Sequence, residues 1–151
     1  MLNPPMIYDK AGLDFTAIHE GFRSKAYKDS GGVWTCGYGH TTGVGPSTIC
    51  DETLARKWLL EDISIASRSV NRLVNVKLDQ EEFNALVDFV YNVGVNAFAT
   101  STLLELLNKG DYSGAANQFL RWKFCKGVVV AGLLNRRNDE KKLFETPDKE
   151  D

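Results

Sequence analysis

The stretch HEGFRSKAYKDSGGVWTCGYGHT, residues 19–41, decides how the chain is organised. Glu20 closes a helical pattern that opens near residue 9. Asp9 can cap its start, Leu13, Ala17 and Ile18 form an apolar stripe, and Gly21 is a natural stop. The periodicity then switches to that of strands. Ala26–Lys28 and Val33–Tyr38 read as two short strands, with Asp29-Ser30-Gly31-Gly32 as the turn between them. Gly37-Tyr38-Gly39-His40 puts two flexible residues where backbone approaches a neighbour closely. Gly43, Gly45 and Pro46 mark a loop, and Thr48-Ile49 is a candidate third strand. So small a sheet is not stable alone.

The rest of the chain supplies its support. Residues 52–74 read as one helix, with Leu54, Trp58, Leu59, Ile63, Ala66, Val70 and Leu73 at helical spacing. At ~1.5 Å per residue it would be ~34 Å long, enough to bridge two lobes. Asp79 with Glu82 forms a capping-box start, followed by Phe83, Leu86, Val87 and Val90 on one face as far as Gly94. Ser101 can cap a helix through Leu107 that stops at Gly110. Asp111 can cap the next, with Ala115, Ala116, Phe119 and Trp122 on one face, and a last helix runs from about Leu133 to Phe144. The class is α+β, mostly helical, in one domain: an N-terminal helix and β lobe over about residues 1–50, then a connecting helix and helical lobe over about 51–151.

At 151 residues with a net charge of -2, no global field draws the chain to nucleic acid or anionic membrane. Seven Lys/Arg against two acids over residues 121–142 make a local +5, and Glu145 to Asp151 carries four acids and one Lys. A solvated helix face followed by an acidic tail accounts for this; a basic strip facing an anionic polymer is the sharper reading. Three cysteines, Cys36, Cys50 and Cys125, have no metal-ligand spacing, and their odd number argues against a dedicated disulfide framework. One bridge with a spare thiol stays open. MLNPPMIYDK has no long apolar run and is read as neither signal peptide nor membrane anchor. Phosphate loops, dinucleotide fingerprints and zinc motifs are absent from the sequence, so no cofactor is expected.

Glu20 is followed nine positions later by Asp29 and a further six by Thr35. Splitting a glycosidic bond needs a proton for the leaving oxygen and an ionised partner that activates water or attacks. Glu20, at a helix end where the dipole disfavours negative charge, suits the donor. Asp29, in a turn rich in N–H groups, suits the ionised partner. By spacing alone these are more often a solvated carboxylate, a plain turn residue and a strand threonine. His40 can bind sugar or buttress the hairpin, and the buttress is favoured. Arg136 and Arg137 read as surface charges, with pairing of one of them to Glu20 as the alternative. Cys36 reads as a small core residue.

The combined motifs carry the reading further. Glu-Gly, Ala-Tyr-Lys-Asp, the glycine turn, Thr and Gly-Tyr-Gly-His-Thr resemble, in order and spacing, the active-site segment of phage-type lysozymes, the endolysins of glycoside hydrolase family 24. QEEFNALVDFVYNVG (80–94), FATSTLLELLNKGDY (98–112), AANQFLRW (115–122) and GLLNRRNDEKKLF (132–144) extend the likeness over nearly the whole chain after residue 9. The resemblance implies a lysozyme fold, with a small β lobe, a helical lobe and a cleft between. It also implies hydrolysis of the β-1,4 bond between N-acetylmuramic acid and N-acetylglucosamine in peptidoglycan. Glu20 takes the family's acid role, while Asp29 and Thr35 hold a water on the opposite face, so that the product is inverted. A soluble monomer, held in the host cytoplasm until a separate holin-type pore admits it to the periplasm, is the implied biology. A lytic transglycosylase and a non-catalytic wall-binding protein on the same fold are the competing readings.

Overall fold

The computed structural model describes residues 4–147. The acidic tail beyond Pro147 lies outside the described residues. The described residues are mostly helical with two antiparallel strand pairs, the α+β class expected. It divides into two compact units. Leu13–Ser64 form the smaller; residues up to Gly12 and those from Ile65 onward form the larger.

Helix α1 (Lys10–Glu20) begins under an Asp9 cap, whose Oδ1 accepts the Gly12 N–H at 3.0 Å. It ends at Gly21, which at φ +75° returns its N–H to the Ala17 carbonyl at 3.0 Å. Its covered face differs from the expected stripe: Thr16 and Ala17 are buried, while Ile18 is 81% exposed. At about 100° per residue, Ile18 sits on the flank turned away from Thr16 and Ala17.

Strands β1 (Arg23–Lys28) and β2 (Trp34–Gly37) pair with Tyr27 opposite Thr35, Lys28 opposite Trp34 and Arg23 opposite Gly37. β1 therefore carries two extra residues, a bulge that bends the hairpin. The segment after the loop satisfies the bulged backbone: Ala26 donates to Thr48 at 3.0 Å and Cys50 to Ser24 at 2.9 Å. The expected third strand is thus a single bridge, Lys25 to Ile49.

Helix α2 (Glu52–Leu73) starts in the smaller unit and ends in the larger. Ala55, Leu59, Ile63, Ala66 and Val70 form its buried line. Leu54, expected in that line, is 37% exposed, because Ala55 faces inward one residue later.

In the larger unit, α3 (Gln80–Val93) is buried at every position from 83 to 90. The Phe89 ring meets Phe98, Phe119 and Trp122 edge-on, at centroid distances of 6.3, 5.2 and 5.6 Å. Two short helices follow, α4 (Val95–Ala99), which the sequence reading passed over, and α5 (Thr102–Asn108), capped by Ser101. Helix α6 (Tyr112–Gln118) is capped by Asp111. A second hairpin, β3 (Phe124–Cys125) and β4 (Val128–Val129), precedes α7 (Ala131–Phe144) and was not anticipated either. Its turn sets Lys126 and Gly127 at φ +52° and +79°.

Arg136 and Arg137 are not surface charges. They are 6% and 0% exposed. Arg136 grips the fully buried Asp88 through two hydrogen bonds, Nε to Oδ2 at 2.9 Å and Nη2 to Oδ1 at 2.8 Å. Arg137 donates from Nη2 to Glu140 Oε2 at 2.8 Å. Burial and the neighbouring Asp88 push the Glu140 carboxyl well above the usual range, against the pull of Arg137. Two of the seven charges assigned to a basic strip are therefore spent inside the core.

The capping box of α3 is closed in both directions: Asp79 Oδ1 accepts the Glu82 N–H at 2.7 Å, and Glu82 Oε1 accepts the Asp79 N–H at 2.9 Å. Burial, with Asp79 and Glu81 nearby, pushes Glu82 from 4.5 up to about 7. Between those values the folded chain holds a proton that the unfolded chain has released, so stability falls as pH rises through this window. Glu82→Gln keeps the acceptor and removes the charge. At pH 8 it is expected to raise Tm by ~2–4 °C, about 1 kcal/mol after solvent screening, with no gain at pH 4. Calorimetry at both pH values checks this.

Candidate active site

Glu20, Asp29, Thr35 and His40 all belong to the smaller unit, and the hairpin relates them. Thr35 lies opposite Tyr27, and Asp29 donates its N–H to the Val33 carbonyl at 2.9 Å. Side chains alternate along a strand and cross-strand partners share a face. Asp29 and Thr35 therefore project from the same face.

The Asp29 carboxylate is held in place by its own turn. Oδ1 accepts N–H groups from Gly31 and Val33, each at 2.9 Å, and Gly32 donates to the Asp29 carbonyl at 2.9 Å. Among the described residues no hydrogen bond is given to Oδ2. Thr35 is 4% exposed, and its Oγ1 donates to the Val33 carbonyl at 2.9 Å. A hydroxyl has one hydrogen, so toward any further group Thr35 acts as an acceptor.

Glu20 meets the same hairpin through the turn that follows β2. Cys36 and His40 exchange backbone hydrogen bonds at 2.9 Å, closing a tight loop over Gly37, Tyr38 and Gly39. A methyl group placed on Gly39 would lie 3.1 Å from Glu20 Oε1, and Gly39 sits at φ +84°. Glycine thus suits the position twice: a side chain would be strained at this φ, and a methyl group would press on the carboxylate. Gly39→Ala is expected to lower activity by roughly tenfold or more while the helical content persists. Circular dichroism alongside a cell-wall turbidity assay checks this.

The N-terminal half of α2 clamps this turn. Gly37, at φ +71°, leaves space that a methyl group would fill at 3.0 Å from Ala55 Cβ. Tyr38 donates to Glu52 Oε2 at 3.2 Å. The His40 ring, 7% exposed, stacks on Trp58 at 4.4 Å and bonds Asp62 Oδ2 through Nδ1 at 2.8 Å. His40 has the surroundings of a buttress rather than of an open sugar contact. Arg56 pairs with Asp14 and so ties α1 to the same stretch of α2. Sequence reasoning missed Asp14, Glu52, Arg56, Trp58 and Asp62, whose partners lie 14 to 42 residues away. Arg136 and Arg137 lie in the larger unit, with the partners described above.

A glutamate at the end of α1 and an aspartate and threonine of the following hairpin are thus the acidic and hydroxyl groups of this stretch. Comparison with known proteins is decisive for the family: the chain belongs to the phage lysozyme family, whose model matches residues 17–140. It is 39% identical over 145 residues to an endolysin of Acyrthosiphon pisum secondary endosymbiont phage 1, covering 93% of this chain and 99% of that protein. An endolysin of Bacillus phage B103 is 41% identical over 144 residues, which span 93% of this chain but 55% of the relative. Among solved structures, the muramidase domain of SpmX from Asticaccaulis excentricus superposes with a TM-score of 0.89 at 34% identity, covering 93% of this chain and 99% of that one. The fold is that of the lysozymes.

Proposed function

We propose that the chain is a muramidase that hydrolyses the β-1,4 bond between N-acetylmuramic acid and N-acetylglucosamine in bacterial peptidoglycan, with inversion. The observation that carries this reading is the shared face of Asp29 and Thr35 on a hairpin whose following turn lies against Glu20. Glu20 gives its proton to the departing glycosidic oxygen, so that no free alkoxide has to form. A water on the other side of the sugar ring donates one hydrogen to Asp29 Oδ2 and the other to Thr35 Oγ1. One of its two lone pairs is then directed at the anomeric carbon. Because the Thr35 hydrogen is committed to Val33, the threonine holds this water only by accepting. Asp29 takes the proton as the new C–O bond forms.

No helix of the described residues is long and apolar enough to cross a membrane. The endolysin names among the relatives support a role in host lysis, in which the enzyme waits in the host cytoplasm and reaches the wall in the periplasm through a separate holin-type pore. It acts as a monomer on single glycan strands.

Mass spectrometry of purified peptidoglycan digested by the protein tests the reaction. Fragments ending in reducing N-acetylmuramic acid are expected. Anhydromuramic ends would instead identify a lytic transglycosylase, and an undigested wall a non-catalytic binder.

A further inference from the structure

The sulfur atoms of Cys36 and Cys50 lie 3.4 Å apart, although the residues are 14 positions apart in sequence. The β1 bulge brings them together. Cys36 projects from β2 on the face opposite Thr35, with its thiol 3.7 Å from the Arg23 carbonyl and 3.6 Å from that of Ser24. Cys50 reaches the same backbone from the returning segment, with its thiol 3.7 Å from the Arg23 carbonyl. Both backbones are anchored, Cys36 by its reciprocal bonds with His40 and Cys50 by its bond to Ser24. The sulfurs need to close by only about 1.4 Å to reach a bonding distance of ~2.05 Å, a movement within the reach of side-chain torsions. Their accessibility differs: Cys36 is 0% exposed and Cys50 is half-buried.

We propose that Cys36 and Cys50 are a dithiol site that a small-molecule disulfide, such as oxidised glutathione, converts to a cystine. The Cys50 thiolate attacks one sulfur of the oxidant, breaking its S–S bond and expelling one thiolate, which takes up the proton that Cys50 released. The covered Cys36, after giving its proton to solvent, attacks Cys50 Sγ, breaks the mixed disulfide and expels the second thiolate, which takes a proton back from solvent. The protein loses two hydrogens, the oxidant gains them as two thiols, and the electrons balance. Of the two, Cys50 is the one open to the oxidant, and Cys36 is placed to resolve the adduct. Burial and the neighbouring Cys36 push the Cys50 thiol up to about 11, so the first step is slow at neutral pH and speeds up as pH rises.

The cystine closes a loop holding Gly37–His40, the turn that lies against Glu20. It constrains that loop in the unfolded chain and thereby raises stability. If the enzyme passes from a reducing cytoplasm to an oxidising periplasm, as proposed above, the bond forms where the wall is met.

The test uses the full chain, reduced and then held with oxidised glutathione at pH 8.5, acid-quenched, alkylated and mapped by peptide mass. Cys36 and Cys50 are expected to lose alkylation together and to appear as one cross-linked peptide, two hydrogens lighter than its parts. Cys125, exposed and in the other unit, retains a glutathione adduct. Tm is expected to rise by ~5–10 °C, reversibly with dithiothreitol. In Cys36→Ala the reaction stops at the adduct on Cys50. Full alkylation of both thiols, or an adduct that persists on Cys50 while Cys36 is intact, would overturn the proposal. These readouts need no peptidoglycan, so they fail or hold independently of the proposed reaction.

Discussion

Glu20→Gln is expected to lower turnover on peptidoglycan by about 10²–10⁴-fold, the range that general acid catalysis supplies. The amide keeps the shape of the side chain at the end of α1 and fits the space left by Gly39, but has no proton of the required acidity to give. The leaving sugar oxygen must then depart as an alkoxide or find a proton in water. Binding of glycan fragments and the melting temperature should change little. Titration calorimetry with a soluble fragment, beside a turbidity assay on permeabilised Gram-negative cells, separates lost chemistry from lost binding. Undiminished clearing by this variant would remove Glu20 from the role of acid.

Arg136→Met is expected to cost about 3–5 kcal/mol and to lower Tm by on the order of 10–15 °C. Asp88 is fully buried, and its two-bond partner would be replaced by a thioether that donates nothing. Taking both charges into the core gains little over an apolar pair of similar volume, whereas removing Arg136 takes from the buried Asp88 the cation that offsets its charge. The double variant Asp88→Leu/Arg136→Met should therefore recover a large share of the loss. Chemical denaturation of the two variants and the parent gives the comparison. Equal stability of Arg136→Met and parent would mean that the pair contributes nothing to the fold.

The caps were legible because they are local. Asp9, Gly21, Asp79, Ser101 and Asp111 each act on backbone within about four residues, and each stands where the pattern put it. The first hairpin was legible for the same reason, since Asp29 and the glycines after it define a turn and the turn sets the register. Burial was harder to read. Ile18 and Leu54 look like core residues by type, and tertiary packing selected Thr16 and Ala55 instead.

Arg136 was misread because its partner is remote. Asp88 lies 48 residues before Arg136, and a charge is taken as solvated unless a partner is in view. The second hairpin did leave a signal, Gly127 followed by three valines. Its left-handed Lys126 is not a residue type that announces such a turn. At the candidate site the order and spacing of Glu20, Asp29 and Thr35 were visible. The clamp that steadies them, Tyr38 on Glu52 and His40 on Trp58 and Asp62, joins elements whose meeting no short pattern records.

In the proposed mechanism a water held by Asp29 and Thr35 attacks from the face opposite Glu20, so the stereochemistry of the product tests it most directly. Proton nuclear magnetic resonance of soluble glycan strands, recorded during the first turnovers and before mutarotation, reads the anomer released. The α-anomer of reducing N-acetylmuramic acid appearing first is the predicted result. The β-anomer appearing first, or cleavage that leaves no reducing end, would contradict it.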